Sequence, residues 1–385
     1  MTIYLDHNAT TPRLPEVVEA MLRAERDLWG NPASIHSQGR KARKVVEDTR
    51  EQLAALLGRS ARDVVFTGGG TEANHLALAG AGQIVTSRIE HPSVTAQAEM
   101  LAETNGCIVE FAQVSEQGVV TAEAIEAALD LTEERARGAG AQAERRSALL
   151  VAVMGANHET GVIQPLSHVA RIAHARGARL HVDAVQLLGR ADLAPLSGAD
   201  SLAGSAHKFG GPKGLGFLAF DCGWVPSPVG RGGGQERGLR PGTVNVSAVA
   251  GLAAALSHLQ RTREGFARAA AHRQALEQAL RERALVPISI HGGQAARLGH
   301  VLNFRVQGYQ GDELVAALDL AGICVSSGSA CSAGSTEPSE VISAMLGREA
   351  ARGALRVSLG PQNTIQELQR LLCLLAEWKI IRPDD

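Results

Sequence analysis

The sequence predicts an α/β fold built on a doubly wound, mainly parallel sheet. Short apolar runs, typical of buried strands, alternate through the first two thirds of the chain with segments that have helical spacing of apolar residues. Strands separated by helices form parallel sheets whose ligand crevice lies at the carboxyl ends of the strands. The strand candidates are residues 63–67, 148–154, 179–182, 201–203 and 215–220, and the helix candidates include residues 92–104 and 166–176.

The pattern changes beyond Asn245, where long helices rich in Ala, Leu and Arg begin and continue to near Leu285. A mixed region follows, with strand candidates at residues 301–306 and 354–358 and a helix candidate at residues 365–378. This change predicts two domains. The large domain comprises residues 12–255, and the smaller α+β domain comprises residues 256–385 together with residues 1–11.

Length and composition are typical of a large enzyme. The 385 residues are 45% apolar and 20% charged, which is enough to bury a sizeable core. A net charge of -2 gives no electrostatic reason to expect nucleic acid or an anionic membrane as a main partner. No apolar stretch is long enough to span a bilayer, and the first twelve residues lack signal-peptide features. The five cysteines form no CxxC pair, which predicts free thiols and a cytoplasmic location.

Lys208 is the most informative residue of the chain. It lies in SAHKFGGPKG, after a strand candidate and before two glycines, in a chain whose positive charge is supplied almost entirely by arginine. A role as a surface charge that only adds solubility is a poor explanation for a lysine at this position. Schiff-base chemistry needs a primary amine that can lose its proton, which arginine cannot do. Lys208 is therefore the leading candidate for holding an aldehyde cofactor.

Two further motifs fit such a cofactor. In TGGGTEAN, a strand runs into glycines and a helix that begins near Thr71, so backbone amides and the Thr71 hydroxyl could hold a phosphate, although such turns often only reverse the chain. In HVDAVQ, Asp183 at a strand end could pair with a protonated pyridine nitrogen. A capping role for Asp183 and a surface position for Gln186 are the alternatives that the sequence leaves open.

His91, Asn157, Cys331 and Arg356 complete the candidate set. His91 in IEHPS could stack on a planar ring or move protons, or it could be a structural residue at a helix start. Asn157 in MGANHETG could donate to a ring oxygen or form a turn. Cys331 lies in VSSGSACSAGSTEPS, which has too little apolar content for a core and leaves the thiol available as a nucleophile. Arg356, within a strand candidate, could bind a substrate carboxylate or form a structural ion pair.

The chain resembles the pyridoxal-phosphate-dependent cysteine desulfurases of the NifS and IscS type, within the class V aminotransferases. The likeness extends from residue 4 to residue 360. The motifs that carry it, in the family's order, are YLDHNATTP, GNPAS, TGGGTEAN, EH, NHETG, HVDAVQ, SAHKFGGPKG, GGGQERGLRPGT, SSGSAC and LRVSLG. The resemblance implies the type I fold of pyridoxal-phosphate-dependent transferases.

The resemblance also implies a role for each matching residue. Lys208 would carry the cofactor and shuttle protons, Asp183 would face the pyridine nitrogen, and His91 would stack on the ring. Arg356 would hold the substrate carboxylate. Gln186 and Asn157 would contact the phenolic oxygen and nearby groups, Asn157 would also contact the substrate, and the phosphate would be held by Gly70, Thr71, Ser205, His207 and, across a homodimer interface, Thr243 of the neighbouring subunit.

Cys331 would be the nucleophile that takes sulfur from L-cysteine as a persulfide, leaving L-alanine. The outer sulfur would then pass to an acceptor protein, such as an iron–sulfur scaffold or a thiolation enzyme, and Cys331 could share an iron–sulfur cluster during transfer. The resemblance leaves the pathway open between iron–sulfur assembly, transfer RNA thiolation, cofactor synthesis and DNA modification. It also leaves open whether selenocysteine is preferred.

Three departures from the family pattern stand out. The polar stretch from Leu131 to Ser147 is longer than usual and predicts a solvated loop or a partner contact. The sequence given ends soon after its last helix, so scaffold docking through a longer C-terminal tail is not expected. His300 stands where relatives commonly have Asn.

Two other classes of function remain as alternatives. The first is another pyridoxal-phosphate enzyme, such as a selenocysteine lyase or an aminotransferase, and Cys331 argues against a transaminase because transamination does not use a thiol. The second is a partner-binding scaffold that has lost the cofactor. Intact Lys208, Asp183 and His207 argue against that scaffold.

Overall fold

The computed structural model describes residues 2–138, 148–221, 223–224, 226–228, 230–328 and 338–383. The strands in these ranges form one large sheet and two smaller sheets. The strands are β1 (Ile3–Tyr4), β2 (Val64–Thr67), β3 (Gln83–Ser87), β4 (Ile108–Ala112), β5 (Leu149–Met154), β6 (Arg179–Asp183), β7 (Ser201–Ser205), β8 (Gly216–Phe220), β9 (Ile288–Ile290), β10 (Val301–Val306), β11 (Ile323–Cys324) and β12 (Ala354–Ser358).

The large sheet has seven strands in the order β2, β8, β7, β6, β5, β3, β4. Strand β8 is antiparallel to both of its neighbours, and the other pairs in this sheet are parallel. The mainly parallel α/β sheet predicted from the sequence is therefore confirmed. Alternate side chains of a strand enter opposite cores: Val151 and Val153 pack on one face, and Leu150 and Ala152 pack on the other.

Helices cover both faces of this sheet. The helices are α1 (Pro15–Asp27), α2 (Ser37–Leu57), α3 (Gly70–Leu78), α4 (Pro92–Asn105), α5 (Ala122–Gly138), α6 (Leu166–Ala175), α7 (Val246–Ser257), α8 (Leu259–Glu282), α9 (Gly311–Leu320), α10 (Glu340–Leu346), α11 (Arg348–Arg352) and α12 (Ile365–Glu377). Apolar residues of α3 and α4 enter one core, and those of α1, α2, α5, α6 and α7 enter the other. The sheet is thus doubly wound.

The smaller sheets lie in the C-terminal region. Strands β12, β10 and β9 form an antiparallel sheet, and β1 pairs with β11 in parallel. Their apolar residues form a separate core with α8, α9 and α12, which Leu5 joins from the N-terminus. Helix α12 begins with a capping box in which Thr364 and Glu367 satisfy each other's backbone amides. The predicted boundary between residues 255 and 256 falls inside α7, and the two-domain division stays a prediction.

The prediction of a loop over Leu131–Ser147 is wrong for residues 131–138, because α5 continues to Gly138. Polar residues of this turn are held by partners distant in sequence: Glu133 accepts from Arg176 at 2.8 Å, and Arg135 pairs with Glu110 at 2.7 Å. Residues 139–147 lie outside the described part of the chain.

A buried ion pair fastens the segment after β8 to the large sheet. The guanidinium of Arg50 donates to both carboxylate oxygens of Glu236, at 2.7 and 2.8 Å, and Glu236 also accepts from the amide of Phe66 at 2.8 Å. Glu236 has a left-handed backbone with a φ of 46°, which is unusual outside glycine. The Glu236 carboxylate therefore neutralises the buried Arg50 charge, and its hydrogen bonds offset the strain in the Glu236 backbone.

We expect Glu236→Gln to lower the free energy of unfolding by about 3 kcal/mol, because the substitution removes the buried anion and leaves the buried Arg50 charge with only the half-exposed Glu47 as a partner. Urea denaturation followed by circular dichroism measures the change. The matched control is Glu19→Gln, which removes an exposed ion pair with Arg23 and should cost less than about 0.5 kcal/mol. Equal losses in the two variants would contradict the prediction.

Candidate active site

A cavity of about 190 Å³ lies at the carboxyl ends of β5, β6 and β7. This is the edge at which parallel α/β sheets bind ligands. Most of the residues singled out by the sequence meet there, although they come from five separate segments of the chain. The lining residues are Asn8, Ala9, Gly70, Thr71, Asn74, His91, Ser93, Met154, Ala156, His158, Asp183, Val185, Gln186, Ser205, His207, Lys208 and Arg356.

Lys208 lies on the single helical turn that follows β7. Its Nζ donates to the carbonyl oxygens of Asn8 at 2.6 Å and Ala9 at 3.0 Å. The Thr11 hydroxyl donates back to the Lys208 carbonyl at 2.9 Å. The N-terminal segment and the lysine turn therefore hold each other in place.

Asp183 ends β6 and is fixed by two donors. Its Oδ1 accepts from the Val185 amide at 3.0 Å, and its Oδ2 accepts from the Asn74 side-chain amide at 2.8 Å. The same Asn74 nitrogen donates to Ser93 Oγ at 2.8 Å. Two anchored donors therefore fix the orientation of the carboxylate.

Behind Asp183, a buried chain of hydrogen bonds fixes the orientation of Asn74. The Asn74 Oδ1 lies 3.0 Å from His181 Nε2, and His181 Nδ1 lies 2.8 Å from Ser201 Oγ. Because the Asn74 nitrogen is the donor to Asp183, its oxygen must accept, so His181 carries its proton on Nε2. Burial lowers the pKa of His181 to about 3, so the ring is neutral and its Nδ1 accepts from Ser201.

The glycines of TGGGTEAN lie beside the start of α3. A Cβ at Gly70 would lie 2.6 Å from the Val185 side chain, and a Cβ at Gly216 would lie 2.5 Å from the Gly69 carbonyl carbon. Only glycine permits this close approach. The first amides of a helix have no partner within the helix, so the Gly70 and Thr71 end of α3 can hold an anion.

A shallower cavity continues from this helix start and reaches Ser205, His207 and Lys213. His207 Nδ1 lies 3.0 Å from Thr10 Oγ1. Burial, followed by the charges of Lys208, Arg190 and Lys213, lowers the pKa of His207 to about 3. His207 is thus a neutral hydrogen-bonding group among cations.

His91 and His158 form one wall of the main cavity. His91 is the N-cap of α4 and accepts from the Ser93 amide at 3.0 Å. Its ring meets His158 edge to face, with centroids 5.4 Å apart. Burial, His91, Arg356 and Lys208 together hold the pKa of His158 well below its usual range. Neither nitrogen of this neutral ring has a hydrogen-bond partner among the residues that the structure describes.

Asn157 is placed differently from the expectation. Its side chain donates to the Ile89 carbonyl at 2.9 Å, and its Oδ1 accepts from the amides of Glu159 and Thr160 at 2.9 Å. These contacts make the turn that the sequence had left as the alternative, and Asn157 does not line the cavity. The neighbouring His158 lines it instead.

Arg356, in the middle of β12, is buried and reaches the cavity from the smaller sheet. It donates to Asp6 Oδ1 at 2.6 Å and to the His158 carbonyl at 3.1 Å. Its Nε is buried and has no hydrogen-bond partner within the described residues. Gln186 donates to the Asn8 carbonyl at 3.1 Å and accepts from Arg190.

Thr243, predicted to contact the phosphate, is not among the residues that line this cavity. Thr243 lines a second cavity of about 620 Å³, together with Asn31, Arg43 and Arg50. Cys331, predicted as nucleophile and as a ligand of a shared iron–sulfur cluster, lies outside the described residues. In the ranges that the structure covers, no group of three or more His, Cys, Asp or Glu side chains could hold a metal ion. No helix within those ranges is long and apolar enough to cross a membrane.

Sequence reasoning missed several residues that surround the reactive groups. Asn8 was present in the quoted motif YLDHNATTP, and Asn74 in TGGGTEAN, but neither was assigned a position. Asn74 is four residues from Gly70, which places both on one face of α3 and was a usable signal. His158 and Ser93 each lie within two residues of a candidate.

Comparison with known proteins agrees with the fold. The model of the class-V aminotransferase family matches residues 3–371. A cysteine desulfurase of Cereibacter sphaeroides is 38% identical over 385 residues, covering 97% of this chain and 94% of that protein.

Solved structures are similar over nearly the whole chain. A NifS-like protein from Rickettsia africae has a TM-score of 0.85 at 30% identity and covers 98% of this chain and 99% of its own. A structure of SspA in complex with cysteine has a TM-score of 0.78 at 29% identity, and the match covers 94% of this chain and 100% of the SspA chain.

The fold and the cavity define a pyridoxal-phosphate-dependent enzyme of fold type I. The chain belongs to the class-V aminotransferase family and, within it, to the cysteine desulfurases of the NifS and IscS type. The residues present fit the cofactor. A lysine amine, a fixed carboxylate, a glycine-lined helix start and a wall with unpartnered ring nitrogens surround one cavity.

Glu90 is a buried carboxyl group beside this site. Burial, with a smaller contribution from Asp183, raises the pKa of Glu90 from 4.5 to about 8, although a 2.8 Å hydrogen bond from Ser87 opposes the rise. Between these two pKa values the folded protein keeps a proton that the unfolded chain releases. The stability from Glu90 is therefore fully present below about pH 4.5 and is lost as the pH rises through 8.

We expect Glu90→Gln to remove this pH dependence, because glutamine keeps the shape without the titration. Relative to the variant, the wild type should lose up to about 1.4 kcal/mol of unfolding free energy per pH unit between pH 4.5 and 8. Urea denaturation of both proteins at one-unit pH steps measures the difference, in which other titrating groups cancel. If the unfolding free energies of the two proteins change with pH in the same way, the assignment of this pH dependence to Glu90 is wrong.

Proposed function

We propose that the protein converts L-cysteine to L-alanine and carries the removed sulfur as a persulfide on Cys331. The observation that carries this proposal is the convergence of Lys208, Asp183 and Arg356 on one cavity, in a chain whose motif SSGSAC supplies a thiol. Relatives named cysteine desulfurase support it, as does the similar structure that holds cysteine.

Each cavity residue then has a role toward the cofactor. Lys208 holds it through its amine, Asp183 pairs with the pyridine nitrogen, and His91 lies against the ring. Gln186 lies near the phenolic oxygen. We assign to His158 the contact expected of Asn157, because His158 lines the cavity whereas the Asn157 amide is hydrogen bonded to Ile89 and to the amides of Glu159 and Thr160.

The phosphate is held at the glycine-lined start of α3. Gly70 and Thr71 supply helix-terminal donors, and Ser205 and His207 face them across the shallower cavity. Thr243 lies in a different cavity of its own chain, so we assign it to the site of a second subunit in a homodimer. Exposed Trp29 and Ile35 lie in the segment that contributes to this second cavity, which supports burial of that surface by another copy.

Substrate is positioned by the residues nearest the smaller sheet. Arg356 binds the carboxylate of cysteine through the edge of the guanidinium that carries the unpartnered Nε, while Asp6 and the His158 carbonyl keep its orientation. When bound, the cofactor withdraws electrons from the substrate carbons. Asn74 and Val185 hold the Asp183 carboxylate in place, and the Lys208 amine takes and returns protons on the carbon skeleton.

Sulfur transfer follows from the chemistry of the thiolate. Cys331 attacks the sulfur of the substrate, and a sulfur–sulfur bond forms as the carbon–sulfur bond breaks. The electron pair of the broken bond stays with the carbon fragment, which takes up protons and leaves as alanine. Cys331 then holds a persulfide whose outer sulfur can move to a cytoplasmic acceptor protein, such as an iron–sulfur scaffold, with which Cys331 could share a cluster.

We expect Cys331→Ala to keep the cofactor absorption band and to lose release of sulfide from L-cysteine. The measurement is a joint assay of alanine and sulfide with wild type, Cys331→Ala and Lys208→Ala. Cys373→Ala is the matched control, since Cys373 is exposed on α12 and has no assigned role. Full turnover by Cys331→Ala would disprove the proposed nucleophile, and an unaltered band in Lys208→Ala would disprove the lysine assignment.

We expect Asn74→Asp to weaken cofactor binding about tenfold, because a second carboxylate replaces the donor that holds Asp183 in place and repels it. Equilibrium dialysis with pyridoxal phosphate measures the affinity. Ser201→Ala is the control at the far end of the same hydrogen-bond chain and should bind within about twofold of wild type, equivalent to less than half a kcal/mol. Equal affinities for Asn74→Asp and wild type would count against the role of Asp183.

A further inference from the structure

Arg190 is a buried arginine next to the cavity, and it is not among the residues that line it. Its guanidinium donates to the His7 carbonyl at 2.8 Å, to Asn8 Oδ1 at 3.0 Å and to the Lys208 carbonyl at 2.8 Å. It also donates to Gln186. One side chain thus connects the N-terminal segment to the turn that carries the reactive lysine.

The charge of Arg190 has no carboxylate partner in the part of the chain that the structure describes. Its hydrogen bonds go to carbonyl, amide and hydroxyl oxygens, and the ring of Phe266 lies 4.9 Å from its Cζ. Burial, with a smaller contribution from Arg356, lowers the pKa of Arg190 to about 9. A buried cation without an anion is costly, so stability alone gives a poor reason for an arginine here.

The contacts of Lys208 supply another reason for an arginine at position 190. Its Nζ is held by the carbonyl oxygens of Asn8 and Ala9. These oxygens belong to the segment that Arg190 fastens, and Arg190 also binds the carbonyl of Lys208 itself. The donor and its acceptors are therefore fixed relative to each other through one guanidinium.

We propose that Arg190 is a positioning residue that fastens the segment from His7 to Thr11 to the lysine turn, so that the Asn8 and Ala9 carbonyls receive the Lys208 amine whenever it is not bonded to the cofactor. The inference rests on the proposed function, in which Lys208 holds the cofactor, is displaced by substrate and returns in every turnover. An amine kept at a fixed place returns faster than one that searches many rotamers.

The test compares Arg190→Met, Arg190→Lys and Thr11→Val with wild type. Arg190→Met keeps length and apolar volume but removes all donors, whereas Arg190→Lys keeps a charge and some donors. Thr11→Val keeps Arg190 and removes the Thr11 hydroxyl, which contacts the Lys208 carbonyl at 2.9 Å and the His7 carbonyl and the Arg190 guanidinium at 3.4 Å. The control is Arg59→Met, which removes a largely buried arginine that pairs with Asp221 at 2.8 Å, away from the cavity.

The main readout is the rate at which pyridoxal phosphate, added to cofactor-free protein, becomes fixed to Lys208, with borohydride reduction and peptide mass spectrometry at timed points. We expect Arg190→Met to slow this step about tenfold and Arg190→Lys to recover to within about threefold of wild type. In steady state, kcat should fall while KM for cysteine stays near the wild-type value, because Arg356 is unchanged. Arg59→Met should leave the rate and kcat as in wild type.

Wild-type rates of lysine fixation in Arg190→Met would overturn the inference. If Arg190→Met does not fold, Arg190→Lys and Thr11→Val decide: slower fixation in both, with unchanged melting temperatures, supports the inference, and wild-type rates in both overturn it. Failure of the wild type to form any Lys208 adduct would overturn the proposed function as well, so the two failures are distinguishable.

Discussion

The site depends on one short piece of backbone, from Asp6 to Thr11, to which both sheet regions are hydrogen bonded. From the smaller sheet, Ser358 accepts from the His7 amide at 3.0 Å and, through its hydroxyl, from the Asn8 amide at 2.9 Å. From the larger region, Arg190 binds the His7 carbonyl and Lys208 binds the Asn8 carbonyl. A Cβ at Gly360 would lie 1.9 Å from the His7 ring, so glycine is required there for the approach. The lysine on one sheet region and the arginine of β12 on the other are held at a fixed separation by this contact.

Charge in the cavity is arranged to receive anions. Lys208, Arg356 and the nearby Arg190 are cations, and Asp183 is the carboxylate among the lining residues that the structure describes. His158 and His207 add no charge, because burial and the neighbouring cations lower the pKa of both. A phosphate at the start of α3 and a substrate carboxylate at Arg356 would each meet positive potential, and the neutral imidazoles would supply hydrogen bonds without adding to the repulsion between cations.

The sequence was sufficient for the sheet and for the residues at its strand ends, because apolar periodicity and strand-end polarity are local properties. Lys208, Asp183 and His91 line the cavity for that reason. The sequence was insufficient where tertiary contacts determine the placement of a side chain or the end of a helix. The choice between Asn157 and His158 depends on the turn after β5, in which Asn157 Oδ1 accepts two backbone amides and turns its neighbour toward the cavity. The last turns of α5 are polar in sequence, and they are helical because α6 and β4 supply partners for their charges.

Described residues on both sides of Cys331 are hydrogen bonded to residues in or next to the cavity. Before Cys331, Ser326 exchanges two backbone hydrogen bonds with Arg356, at 2.6 and 3.2 Å. After Cys331, the Ser339 hydroxyl donates to Glu159 at 2.6 Å, beside His158. Cys331 is five positions along the chain from Ser326, and five fully extended residues span at most about 18 Å. The arginine proposed to bind the substrate carboxylate is thus also hydrogen bonded to the chain just before the proposed nucleophile, so the length of the covalent chain sets an upper limit on the distance between Ser326 and Cys331.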